Sequence, residues 1–191
     1  MPAKDYLVQL KRAIDSADLS DFDDIISALL KAYKDNSQIF IMGNGGSASL
    51  ASHFACDLSK GTLQNAHDDN EKRFRVISLT DNIALMTAYS NDLGYEHVFS
   101  QQLKNLVNEG DVVIGISASG NSKNVINAIS LAKKSKAVSI GLLGFDGGKL
   151  KEIVDLKLWV NKDNYGIVED VHSSLQHMIC FAVKERVRQG I

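Results

Sequence analysis

Apolar side chains recur at helical spacing in two stretches near the amino end: Tyr6, Leu7, Leu10 and Ile14 over residues 4–16, then Phe22, Ile25, Ile26, Leu29, Leu30 and Tyr33 over residues 20–35. The spacing predicts two amphipathic helices, with Ser20 as N-cap of the second. Both precede the first strand, so they stand outside any alternating βα unit and either cover a sheet face or pack against another subunit. From residue 38 the pattern changes. Short apolar runs at 38–42, 74–79, 111–116, 137–142 and 156–160 read as strands, and helical spacing marks the segment after Gly46 as well as residues 82–89, 96–107, 123–133 and 168–187. A glycine-rich turn is expected at 144–148. The polar stretch 62–73, with Asp68, Asp69, Asn70, Glu71 and Lys72 in a row, reads as a solvated loop, or as a lid if it lies near a ligand. Such alternation predicts an α/β fold with a mostly parallel sheet wrapped by helices on both faces, whose ligands bind at the carboxyl ends of the strands.

Two of the strand ends carry chemistry. Gly43-Asn44-Gly45-Gly46-Ser47 leads from the first strand into a helix, and Ser117-Ala118-Ser119-Gly120-Asn121-Ser122 does the same after the strand at 111–116. Glycines let the backbone approach an anion, and the free amides of a helix start favour negative charge there. Two such turns on one sheet edge point to a phosphorylated ligand. A dinucleotide site is a poor fit, because no acidic residue follows the first turn at the required distance; a Walker loop lacks its Gly-Lys-Ser/Thr ending. In the helix after the first turn, His53 and Asp57 are spaced i, i+4 and share a face. The C-terminal helix carries Glu169, His172, Gln176 and His177. With His53 and Asp57 these supply enough nitrogen and oxygen donors for a divalent metal.

Composition narrows the classes. The chain has 191 residues, 45% hydrophobic and 23% charged, which suits one compact domain with a sizeable core. A net charge of −2 without a basic stripe gives nucleic acid no electrostatic footing. No apolar run reaches membrane-spanning length and the amino end lacks a signal-peptide core, so the expected location is the cytoplasm. Cys56 and Cys180, isolated within predicted helices, are expected to be buried thiols and imply neither disulfide nor zinc knuckle.

The order Gly43-Asn-Gly-Gly-Ser47-Ala, His53-Phe-Ala-x-Asp57-Leu, Asn91-Asp-x-Gly-Tyr95, Gly115-Ile-Ser-x-Ser-Gly-Asn-Ser122 and Glu169-Asp-x-His-x4-His177 resembles the sugar isomerase (SIS) domain, specifically its phosphoheptose isomerase group. The resemblance covers nearly the whole chain. It implies a three-layer sandwich around a five-stranded parallel sheet, with residues 1–36 as a helical extension and 37–191 as the α/β core. It also implies a cytoplasmic homotetramer with active sites at subunit contacts, acting on sugar phosphates such as sedoheptulose 7-phosphate in heptose biosynthesis. Ser47, Ser117, Ser119 and Ser122 would hold the phosphate; Asn44 and Gly45 would also bind the substrate, and Asp81 and Asn82 would meet the sugar; Asp57 would be the base and His177 the acid of an enediol(ate) mechanism. Zinc-binding members use the positions of His53, Asp57, Glu169 and His177. The alternative within the family is a non-catalytic binding protein, either an adaptor of the replication initiator or a sugar-phosphate sensor. This chain departs from the group at the base position, which holds Asp57 where the family has Glu, and at Glu169, where it has Gln. The family's next aspartate falls on Asn82, its arginine after the base falls on Gly61 beside Lys60, and the loop from Gly61 to Phe74 is longer. Eight residues of helix rise about 12 Å, so Glu169 and His177 can share an ion only if Glu169 precedes the regular helix or the two come from different subunits.

Overall fold

The computed structural model describes residues 2–190. Two helices, α1 (Ala3–Asp15) and α2 (Phe22–Asp35), lead into β1 (Gln38–Met42) and α3 (Gly46–Cys56), which runs on through a π turn, Asp57–Gly61. Then come β2 (Arg75–Ser78), α4 (Ile83–Leu93), a 3-10 turn (Tyr95–His97), α5 (Val98–Lys104), β3 (Val112–Ser117) and α6 (Lys123–Lys134). The chain closes with β4 (Val138–Leu143), α7 (Gly148–Ile153), β5 (Leu156–Trp159) and α8 (Tyr165–Arg188). All strand pairs are parallel and the order is β2-β1-β3-β4-β5.

The sheet is apolar on both faces because a central parallel strand has no wet side. Ile39, Ile41, Ile114, Ile116, Ile140 and Leu142 point into a core closed by α1, α2, α3 and α8. Phe40, Met42, Val113 and Leu143 point the other way, into a core closed by α5, α6 and α7. The amino-terminal helices thus cover a sheet face. They are tied down at an antiparallel bridge between Asp18 and Trp159 and by the Tyr6 hydroxyl, which donates to Asp170 Oδ2 at 2.7 Å.

Strand order reverses between β1 and β3: the chain leaves β1 towards β2 on one side, and β3 towards β4 on the other. At such a point the following helices depart to opposite faces and leave a crevice at the carboxyl ends. Both glycine-serine turns open on that crevice.

Several expectations are corrected. Helix α2 starts at Phe22 and is not capped by Ser20; the Ser20 amide instead donates to Asp18 Oδ1, while Asp21 turns away to accept from the Lys157 amide. The glycine turn at 144–148 runs straight into α7, which at six residues is too short to carry a periodicity. Cys56 is exposed, on a cavity it shares with β2; Cys180 is half-buried, and burial pushes its thiol up to about 12.

Candidate active site

The turn after β1 is shaped by sterics. A Cβ on Gly43 would stand 2.6 Å from the Ser47 carbonyl oxygen, so the strand can dive under the first turn of α3 only with glycine there. Gly45, at φ +55°, is the N-cap, and Ser47 is buried in the first turn. Across the crevice, Ser117 Oγ accepts from the Gly120 amide at 3.1 Å and lies 3.2 Å from Ser122 Oγ; Ser119 Oγ accepts from the Asn121 amide. Asn44, Ser47, Ser117, Ser119 and Ser122 line one pocket of about 120 Å3, together with Tyr165 and Glu169. Helix starts leave backbone amides unpaired, and two of them, those of α3 and α6, flank this pocket.

Two residues absent from the sequence reading of the site hold the turns in register. Asn124 exchanges amide hydrogen bonds with Asn44 at 2.9 and 2.8 Å, and the Tyr95 hydroxyl donates to Asn44 Oδ1 at 2.8 Å. Tyr95 stands inside the motif that carried the resemblance; Asn124, on a helix start eighty positions from Asn44, had no local signal.

The serine turn is braced from behind. Gly120 sits at φ +63°, and a Cβ there would lie 1.9 Å from the Gly147 carbonyl oxygen; the Leu150 amide donates to the Gly120 carbonyl, and the Lys149 amide to Asn121 Oδ1. Gly120→Ala is therefore expected to cost about 2 kcal/mol, since strained φ and a backbone collision add. It should also abolish phosphate binding. Urea unfolding and calorimetry with inorganic phosphate check this, and a variant of unchanged stability would contradict the bracing.

At the far end of α3, His53, Asp57 and His177 come together, their donor atoms within 4.8 Å of one another. His53 Nε2 lies 3.4 Å and His177 Nε2 3.7 Å from Asp57 Oδ2, and the two rings meet edge to face with centroids 5.1 Å apart. Neither nitrogen is in hydrogen-bond contact with the carboxylate. Ligands of a tetrahedral zinc with bonds near 2.1 Å sit about 3.3 Å apart, so this spacing suits a guest ion between them. The three form a possible metal-binding arrangement of two imidazoles and one carboxylate.

Glu169 is not in that cluster. Helix α8 begins at Tyr165, so Glu169 lies within its second turn, and its carboxylate stands beside Gly46 at the start of α3, where a Cβ on Gly46 would meet Oε2 at 2.8 Å. It therefore does not precede the regular helix. It lines the serine pocket and also a cavity of about 250 Å3 shared with Ser47, His53, Asp170 and His172. Asp81 and Asn82 follow β2 at the same sheet edge, on a different cavity flanked by Ser52 and Cys56. Asp81 accepts from Ser52 Oγ and Thr80 Oγ1, and Asn82 caps α4 by accepting from the Leu85 amide at 3.0 Å.

Comparison with known proteins decides the family, because the SIS domain model matches residues 4–144. The chain belongs to the SIS domain family. Over 186 residues it is 37% identical to the Thermoplasma acidophilum protein named "Probable phosphoheptose isomerase", covering 97% of this chain and 100% of that one. It is 39% identical to the phosphoheptose isomerase of Geotalea uraniireducens, over 85% of this chain and 84% of that one. Among solved structures, phosphoheptose isomerase GmhA from Neisseria gonorrhoeae superposes with a TM-score of 0.84 at 30% identity, covering 93% of this chain and 92% of that chain. The phosphoheptose isomerase from Francisella tularensis superposes with a TM-score of 0.85 at 26% identity, covering 97% of this chain and 100% of that chain. The α/β architecture and five-stranded parallel sheet expected from sequence are those of this SIS fold.

Proposed function

We propose that the chain is an aldose-ketose isomerase that interconverts sedoheptulose 7-phosphate and glycero-manno-heptose 7-phosphate through an enediol(ate). The observation that carries the reading is the placement of two unlike sites along one helical run: α3 presents Ser47 to the serine pocket at its first turn, and the π turn that continues it sets Asp57 beside His53 and His177. An extended sugar phosphate held by one end puts its carbonyl end some way along that helix. In this reading Asn44, Gly45, Ser47, Ser117, Ser119 and Ser122 bind the phosphate. Asp57 takes the proton from the carbon beside the carbonyl, and His177 protonates the developing oxyanion.

Where zinc is bound, His53, Asp57 and His177 would hold it, and it would supply Lewis-acid polarisation of the substrate oxygens in place of proton donation from the coordinated His177 nitrogen. In a homotetramer with active sites at subunit contacts, Glu169 of a neighbouring copy would be the fourth ligand, since within one chain it stands at the other end of α3. Two carboxylates and two neutral imidazoles then balance the dication. A phosphorylated sugar as substrate supports a cytoplasmic location for the enzyme. No helix among the described residues is long and apolar enough to cross a membrane.

The test is turnover of sedoheptulose 7-phosphate with and without added zinc. Ser47→Ala should raise KM about tenfold with kcat little changed, the cost of one hydrogen bond to a charged group felt equally in ground and transition states. Absence of turnover under both conditions, with the sugar phosphate still raising Tm, would favour the non-catalytic sensor of the same family.

A further inference from the structure

We propose that Gln176 is a positioning residue whose buried amide holds the Asp57 carboxylate between His53 and His177; the proposal rests on the isomerase reading above. Gln176 is fully buried on α8, and its Nε2 donates to Asp57 Oδ2 at 2.8 Å. That oxygen is the one both histidines approach. The same nitrogen sends its second hydrogen towards Cys180 Sγ at 3.5 Å. A carboxylate oxygen only accepts, so the amide's nitrogen must face it; the flipped amide would set oxygen against oxygen.

The orientation leaves Gln176 Oε1 buried with no hydrogen-bond partner among the described residues. An orphaned buried carbonyl is a cost that an apolar side chain of the same shape would remove. Its retention is explained by the other end of the amide. Asp57 opens the π turn, its side chain has one methylene fewer than glutamate, and it is more than a quarter exposed, so little else fixes its rotamer. A donor anchored in the α3–α8 contact supplies that constraint, as hydrogen bonds behind a reacting or ligating carboxylate generally do.

The experiment replaces Gln176 by Met, which keeps length and removes both the donor and the orphan oxygen; Gln176→Leu is the second variant if the first folds poorly. Against sedoheptulose 7-phosphate, kcat should fall about ten- to thirtyfold with KM within about twofold, while Tm stays at or above that of the unaltered protein. Crystal structures of both proteins should show Asp57 in one rotamer with Gln176 present and in another or in several with Met. A kcat within twofold, or a loss of kcat that comes with a lowered Tm in both variants, overturns the proposal and leaves the isomerase reading standing. If the unaltered protein shows no turnover, the isomerase reading fails and the crystal structures decide: an unchanged Asp57 rotamer overturns the positioning role, a changed one supports it.

Discussion

Asp57→Asn should lower kcat for sedoheptulose 7-phosphate about a thousandfold while the protein stays folded. The amide is nearly isosteric, so the packing of α3 against α8 is preserved, and its carbonyl can still accept from Gln176 Nε2, which now donates to the carboxylate at 2.8 Å. What is removed is the proton acceptor. General-base catalysis by one positioned group contributes about 10² to 10⁴ in rate, and among the described residues of one chain no other carboxylate is in the cluster of His53, Asp57 and His177. His177→Ala should lower kcat less than Asp57→Asn does, because an oxyanion can also be protonated by water. A coupled assay on the purified variants measures both, and residual activity of Asp57→Asn within tenfold of the unaltered enzyme would remove Asp57 from the role of base.

The second large effect concerns stability and acid. His172 is fully buried on α8, and burial pushes its pKa down to about 4; the nearby Leu143 carbonyl opposes this in part but makes no well-formed hydrogen bond, and both ring nitrogens lack partners among the described residues. In the unfolded chain the ring takes up its proton near the usual value of about 6.5. Between these values the unfolded state binds the extra proton, so stability falls as pH drops from about 6.5 to about 4, by about 3 kcal/mol in all, and the contribution is fully present above about 6.5. His53, Glu169 and Asp170 line the cavity beside His172. Asp18, held down by the Ser20 amide, and Asp155, where contacts to Ser139 and Lys133 outweigh a burial that pushes up, both lie below 3.8 and act outside this window. Urea midpoints at about pH 7.5, 5.5 and 4.5 should decline for the native protein and decline less for His172→Leu. Parallel slopes for the two would show that another group titrates.

The elements were legible where their period was long or their run strongly apolar. Strand β3, with Val112, Val113, Ile114 and Ile116, and helix α2 could scarcely be read otherwise. Helix α7 could not be read, for six residues hold less than two turns. Nor could the π turn that continues α3, since one extra residue in a turn leaves no mark on composition. In the site, the glycine-serine turns and the His53–Asp57 pair are local patterns and declared themselves. That His177 completes the cluster, that Gln176 backs it and that Asn124 locks Asn44 are consequences of how α8 and α6 lie in space. Residue identities alone give no vector between helices. The amide of Gln176 was visible at helical spacing from His172, yet its partner is 119 positions away.

The glycine at position 120, pressed against the backbone ahead of α7, bears on the thermodynamics of capture. A turn nailed to the β4–α7 connection has no disorder to surrender when an anion arrives, so little conformational entropy opposes association there. The pocket is a mould cast before its ligand. Selectivity at this end must then come from fit to a preset shape and not from closure, and arrival is governed by diffusion and by the field of two helix termini. Whatever motion the catalytic cycle needs falls to the other end of α3.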